Sequence, residues 1–381
     1  MSVPAGFRTL TANLGVKDDT PDFALVVADA PCAAAGLYTR SRFAGPSVEL
    51  SRAVTTTGSA QAIVVISKNA NVANGTQGQA DAAALQRAAA ELAGVDPSAV
   101  VVASTGVIGR PYPMERIAEG IAALDAPTGC DFDAVARAIM TTDTHHKLST
   151  ATVGDATIVG VAKGVGMIEP DMATLLTFFF TDADLSAEAL DSAFRDVIAS
   201  TFNALSIDSD TSTSDSAVIL ASGTAGPVDP AAFTAALHQV ALDLTLMIAG
   251  DGEGASKIIE ATVTGARDAG QAKRVAKSIV NSPLVKTAVH GADPNWGRIA
   301  MAVGKCHDDT DIDQDQVSIT IGEHHMYPPA APPEVLDAAA AHMAGERIRL
   351  GVDLALGDAS FTAYGCDLTD GYVRINADYT T

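Results

Sequence analysis

"KGVGMIEPDMATLLTFFF", residues 163–180, runs from a loop-like stretch with two glycines and a proline straight into an apolar run. The run reads as a buried strand, and a small pair, Ala173-Thr174, stands at the junction, so a hydroxyl falls at the strand's first step. Working outward, short β-rich runs recur at 23–30 (FALVVADA), 62–67 (AIVVIS), 99–105 (AVVVAST), 157–163 (TIVGVAK), 175–180 (LLTFFF) and 217–222 (AVILAS). Alanine-rich helical patterns lie between them. One covers 81–92, opening on an acidic residue and stopping at Gly94, and longer ones cover 186–205 and 230–248. Short strands mixed with helices predict a layered α/β or α+β fold. No repeat period is present, and the proline-rich 327–333 reads as a connection.

Composition narrows the function. With 48 % hydrophobic and 18 % charged residues the chain has material for a sizeable core, built mostly from Ala, Val, Ile and Leu because aromatics supply only 5 %. A net charge of −22 repels phosphate backbones and anionic bilayers, which disfavours nucleic acid and membrane partners. The first ten residues lack basic and apolar signal-peptide regions. No apolar run approaches the roughly 18 residues that span a bilayer. Cys32, Cys130, Cys306 and Cys366 are far apart and form no C-x-x-C pair, so structural zinc and a disulfide framework are not expected and a reducing cytoplasm fits.

Familiar site patterns fail in turn. "KGVGMIEP" has G-x-G without the third glycine, and neither a P-loop nor a G-x-S-x-G elbow is present. His145-His146 and His324-His325 are adjacent pairs that cannot share a helix face, and read as surface histidines. "DSDTSTSD" (208–215) has Thr213 where a calcium loop needs glycine and Ile219 where it needs glutamate. It reads as a polar loop close to a site, with hydroxyls and carboxylates capping backbone groups.

Thr174 alone is most simply a strand residue. Its glycine-containing approach lets the Ala173–Thr174 peptide be strained or attacked by the neighbouring hydroxyl. Cleavage there would give Thr174 a free α-amine of pKa about 7.7–8.0, able to take the hydroxyl proton near neutrality. One residue then supplies nucleophile and base, and no Ser-His-Asp triad is needed. The tetrahedral intermediates need donors, which Thr105-Gly106 at the end of a β-rich run can supply through a hydroxyl and a main-chain N–H; losing one such donor costs about 3–4 kcal/mol. By spacing alone, a strand end with a glycine turn is the simpler reading of that pair.

The chain resembles the ornithine acetyltransferase (glutamate N-acetyltransferase) family, self-processing enzymes related to the N-terminal nucleophile hydrolases. The resemblance is carried along the whole chain by 103–109 (ASTGVIG), 138–144 (AIMTTDT), 162–183, 210–218 (DTSTSDSAV), 251–257 (DGEGASK), 281–299 and 371–381 (GYVRINADYTT). In detail it looks closest to the second ornithine acetyltransferase of clavulanic acid gene clusters. The resemblance implies an N-terminal-nucleophile-like fold shared with β-peptidyl aminopeptidases. It also implies cleavage at Ala173–Thr174 into an α chain of 1–173 and a β chain of 174–381, which build one catalytic unit. Thr174 would take acetyl from N-acetylornithine, release ornithine and pass the acetyl group to glutamate by a ping-pong route, in the arginine acetyl cycle or a linked specialised pathway.

Thr105 and Gly106 match the family's oxyanion pair. Its substrate-binding positions fall on the Thr141-Thr142 pair (with Thr141 preferred), Lys163, Thr174, Glu253, Asn376 and Thr381. A lysine and a glutamate in one pocket suit an amino acid, one pairing with carboxylate and the other with ammonium. The last two positions require the C-terminal tail to fold back. No metal or cofactor is implied; an α2β2 heterotetramer is, and some family members also accept acetyl-CoA. Glu169 and Asp171 stand before the scissile bond, where family members vary. The rivals are an aminopeptidase or amidohydrolase of the same fold, and an uncleaved amino-acid-binding protein.

Overall fold

The structure, a computed structural model, describes residues 2–169 and 175–378. Asp171, the Ala173–Thr174 junction and Thr381 therefore lie outside the described residues. The N-terminal part contains β1 (Phe7–Ala12), β2 (Phe23–Tyr38), α1 (Pro46–Thr55), β3 (Ser59–Ile66) and α2 (Gly75–Ala93). It continues with β4 (Val100–Ser104), α3 (Met114–Ala122), α4 (Phe132–Ala138), β5 (Lys147–Val153) and β6 (Ala156–Lys163). Beyond the junction come β7 (Leu176–Asp184), α5 (Ala187–Ser200), β8 (Ser216–Pro227), α6 (Pro230–Gly250), β9 (Ile258–Ala266) and α7 (Ala269–Val280). The remainder is α8 (Pro283–His290), α9 (Trp296–Gly304), β10 (Ser318–Ile321), β11 (His324–Tyr327), α10 (Pro333–Met343), β12 (Arg347–Asp353), β13 (Ala359–Cys366) and α11 (Asp370–Asp378).

An eight-stranded sheet runs β4-β3-β2-β8-β7-β6-β5, with β1 paired antiparallel to β2. The β7–β8 and β3–β4 pairs are parallel, while β2–β8 and β6–β7 are antiparallel. The phenylalanine run explains itself here, because a strand covered on both faces is apolar at every position. Phe179 packs with Phe194 of α5 and Leu244 of α6 on one face. Phe178 and Phe180 point to the other, where Phe132 of α4 and Val48 of α1 cover them. Phe180 sits 4.8 Å from the Phe132 ring and Phe179 5.6 Å from Phe194, centroid to centroid. Each fully buried Phe stabilises by about 1.5–3 kcal/mol. Leu25, Val64 and Val102 pack against Leu85 of α2 and Ile117 of α3 in a further cluster.

The layered α/β expectation holds, with differences in detail. The helix placed at 81–92 starts at Gly75, and Asp81 lies inside it, accepting from Gln77 at 2.6 Å rather than opening it. Its end is as read: Gly94 takes the left-handed conformation, φ +70°, that a C-terminal glycine allows. The helix placed at 186–205 ends at Ser200. Thr201 leaves helical geometry at φ −117°, ψ −90°, and a short 3₁₀ turn follows that buries Phe202 against Phe179. The third expected helix is α6, capped by Asp229, whose carboxylate accepts from Ala232 N–H, and opened by Pro230. Contrary to the sequence reading, α6 is long and apolar enough to cross a membrane by length and composition. It packs Phe233, Leu237, Val240, Leu244 and Ile248 into the core instead.

A second sheet, ordered β11-β10-β12-β9-β13, was not foreseen. It packs Ile259, Val263, Ile319 and Leu350 beneath α7, α8 and α9. His324 and His325 belong to its edge strand, β11.

Candidate active site

The ends of the large sheet's strands, and the turns that leave them, surround a cavity of about 420 Å³. After β4 the chain turns at Thr105-Gly106. Gly106 has φ +133°, and a Cβ there would lie 2.2 Å from the Lys68 carbonyl carbon, so only glycine lets this corner press against the neighbouring chain. Thr105 N–H donates to the Ile66 carbonyl at 3.1 Å and Val107 N–H to that of Lys68 at 3.5 Å. Nothing among the described residues accepts from the Gly106 N–H between them.

Lys163 ends β6 and is buried, its Nζ donating to Thr105 Oγ1 at 3.3 Å. That leaves the Thr105 hydroxyl proton available to a ligand. Burial pushes the Lys163 ammonium below the ordinary lysine range; Asp143, Asp215 and Glu253 oppose the shift and Lys147 adds to it.

The glycine-containing loop after Lys163 is pinned by hydrogen bonds from Gly164 to Glu169. Gly164 N–H donates to Asp143 Oδ1 at 2.7 Å, and the Asp208 carboxylate accepts Met167 N–H at 2.6 Å and Ile168 N–H at 2.8 Å. Glu169 N–H bonds the Asp210 carbonyl at 2.9 Å, and its carboxylate accepts from Asn281 at 2.8 Å. On the far side of the junction the Leu175 carbonyl accepts Ser216 N–H at 2.9 Å, and Leu175 lines the cavity. The polar 208–215 loop thus caps backbone groups as expected, and its residues 212–215 form one wall.

Glu253 follows α6. Its N–H bonds the Val165 carbonyl at 2.9 Å, and its carboxylate fills the place a side chain at Gly166 would take, 2.7 Å from an ideal Cβ. The C-terminal tail does fold back. Asn376 on α11 donates from Nδ2 to Glu253 Oε2 at 2.8 Å. Gly254, at φ +70°, lets the backbone of Gly371-Tyr372 approach so closely that a Cβ would meet Tyr372 N at 2.4 Å.

The structure therefore brings Thr105, Gly106, Thr141, Thr142, Lys163, Glu253 and Asn376 around one cavity. Both threonines of the pair line it, so the preference for Thr141 gains no separate support. Ala173, Thr174 and Thr381 lie outside the described residues. A larger groove of about 780 Å³ lies between α1 and α5 and contains none of the predicted site residues.

Sequence reasoning missed a buried cluster beneath the cavity. Lys147 Nζ donates to Asp143 Oδ1 at 2.7 Å and to Asp251 Oδ2 at 2.6 Å. Burial raises the proton affinity of Asp143, but the charges of Lys163 and Lys147 and its hydrogen bonds outweigh this and hold the carboxyl below its usual range. The i, i+4 spacing of Asp143 and Lys147, beside the quoted 138–144 stretch, was a usable signal. His145 and His146 face Asp251 and Asp133, at 3.4 and 2.7 Å.

The ArgJ family pattern matches residues 8–381. The sequence is 56 % identical to the glutamate N-acetyltransferase Oat2 of Streptomyces clavuligerus, over 99 % of this chain and 98 % of that protein. It is 55 % identical to the arginine biosynthesis bifunctional protein ArgJ 2 of a Nostoc species, over 100 % and 98 %. Among solved structures, the arginine biosynthesis bifunctional protein ArgJ of Bacillus halodurans aligns with 40 % identity and a TM-score of 0.49, over 52 % of this chain and 96 % of its own.

Proposed function

The chain belongs to the ArgJ family, and on that premise we propose that it is a self-processing acetyltransferase that moves acetyl from N2-acetyl-L-ornithine to L-glutamate. The supporting observation is the convergence of Thr105, Gly106, Lys163 and Glu253 on one cavity beside Leu175, the residue after Thr174.

Cleavage at Ala173–Thr174 gives chains 1–173 and 174–381. The freed Thr174 amine takes the proton of its own hydroxyl as Oγ attacks the acetyl carbonyl. The oxyanion accepts from the Thr105 hydroxyl and the Gly106 N–H. Collapse breaks the amide C–N bond, the Thr174 ammonium returns the proton to the departing amine, and ornithine leaves an acetyl ester on Thr174. The amine of glutamate then attacks that ester through the same oxyanion site, giving N-acetylglutamate and free Thr174. Lys163 receives a substrate carboxylate and Glu253 an ammonium, with Asn376 steadying Glu253 and Thr141 or Thr142, Thr381 and Thr174 completing the contacts. No step needs a metal or cofactor. Acetyl-CoA as a second donor, the α2β2 assembly and a cytoplasmic setting follow from the family resemblance alone.

Product analysis separates this reading from hydrolysis. With N-acetylornithine, the purified protein releases ornithine and, when glutamate is added, N-acetylglutamate in equal amount. Release of free acetate that glutamate does not suppress would instead identify a hydrolase of the same fold.

A further inference from the structure

The cluster beneath the cavity has a geometry that stability does not explain. The side chains of Asp143, Lys147 and Asp251 are 0 %, 0 % and 2 % exposed. Desolvating three charges offsets most of their mutual attraction, and such clusters are often replaceable by apolar residues at no loss of stability. What distinguishes this one is where its remaining hydrogen bonds go. Asp143 accepts Thr141 N–H at 3.0 Å through Oδ2 and Gly164 N–H at 2.7 Å through Oδ1. Asp251 accepts Thr144 N–H at 3.1 Å and also the Thr144 hydroxyl. Lys147 joins the two carboxylates and adds a bond to the His145 carbonyl at 3.3 Å. Three separate pieces of the cavity wall are thereby tied to one point: the Thr141-Thr142 turn, the backbone directly after Lys163, and the backbone two residues before Glu253.

We propose that Asp143, Lys147 and Asp251 are positioning residues for acetyl transfer, fixing Thr141-Thr142, Lys163 and Glu253 relative to one another so that both charged ends of the amino-acid substrate are held in register with the nucleophile. The proposal rests on the reading of this cavity as the acetyl-transfer site. None of the three side chains lines the cavity; they act through the residues that do. Asp143 has a second effect. Asp143, Lys147, Asp215 and Glu253 are the charged groups that act most on Lys163, and Asp143 is the strongest of the negative ones. Removing its charge makes the Lys163 ammonium easier to deprotonate.

The test compares Asp143→Asn, Asp143→Glu and Asp251→Asn with the wild type, all as full-length protein, measuring kcat and KM for N-acetylornithine from pH 6.5 to 10 together with melting temperature. A displacement of about 1 Å costs on the order of 10²-fold in rate, so kcat/KM falls by about that factor in all three. In Asp143→Asn the alkaline rise in KM also moves to lower pH. Asp143→Glu keeps the charge one methylene too far and does not rescue kcat/KM. Wild-type kinetics and pH profile in the variants, even with a lower melting temperature, would mark the cluster as merely structural and overturn the proposal. Should Asp143→Asn fail to fold, the other two variants decide it by the same criteria. Absence of transfer in the wild type would instead sink the reading of the site itself.

Discussion

At the scale of single residues, the proposed oxyanion corner at Thr105-Gly106 gives the sharpest expectation. Gly106→Ala places a methyl group 2.2 Å from the Lys68 carbonyl carbon at a φ of +133°, so the corner must move and its N–H with it. Loss of one such donor lowers kcat by about 10²–10³-fold. Thr105→Ala is expected to do the same, while Thr105→Ser retains most activity; steady-state kinetics on the three variants checks this. Lys163 gives a pH expectation. Its burial lowers the ammonium's pKa, so its grip on a carboxylate is present below that value and lost as pH rises through it. KM should therefore climb at a pH below the ~10.4 of an ordinary lysine. A KM that stays flat to pH 10 would contradict this. Thr105, Lys163 and Glu253 had no distinguishing local signal, since a hydroxyl at a strand end and two isolated charges are commonplace. The need for an oxyanion donor nominated Thr105 beside Gly106, and only the resemblance made Lys163 and Glu253 candidates. Asp143 and Asp251 stood inside quoted stretches and were passed over, because a buried charge looks like a surface charge until the fold is known to set Asp251 against Lys147, 104 positions away.

At the scale of elements, α11 is held by its entry rather than by a buried face, for none of its residues is buried. Gly254→Ala would push Tyr372 N away from its present 2.4 Å approach to the ideal Cβ position, lifting Asn376 from Glu253. The expected result is a several-fold higher KM with little change in melting temperature. Asp367 clamps the same region, accepting from Ser256 and Lys257 N–H at 2.7 and 2.9 Å, from the Ser256 hydroxyl at 2.6 Å, and facing His290 Nδ1 at 3.0 Å. Burial works against its ionisation, but these bonds prevail and its carboxyl is held below the usual range. A depressed carboxyl contributes stability above its unfolded pKa of about 3.9 and loses it as pH falls through the folded value. Asp367→Asn should therefore lower the melting temperature at pH 7, and the gap to wild type should narrow below pH 4. Strands β2, β3, β4, β6, β7 and β8 of the large sheet and the Gly94 stop of α2 were legible, because apolar runs and a terminal glycine are local signals. The second sheet was not, since β10 and β11 are four residues each and β12 reaches its parallel partner β9 only after eighty intervening residues. The start of α7 was marked, unread, by Asp268, whose carboxylate accepts Gln271 N–H at 2.8 Å, and by Gln271, whose side chain accepts Arg267 N–H at 2.8 Å.

At the scale of the whole molecule, the order of the large sheet constrains what cleavage can do. β7 and β8, from beyond the junction, lie between β2 and β6, from before it. The two products would share one sheet and its cores, so they should travel together through gel filtration in native buffer and separate only in denaturant. Dissociation under native conditions would contradict the placement of these strands. That arrangement was out of reach of the sequence, because nothing local states which strands pair across 100 residues. The central claim is that Thr174 becomes a new N-terminus and carries the acetyl group, and denaturing intact-mass spectrometry with and without N-acetylornithine tests it most directly. The account predicts two fragments split at Ala173–Thr174, with the C-terminal one gaining a single acetyl group when N-acetylornithine is added. A single uncut chain with no adduct would contradict it.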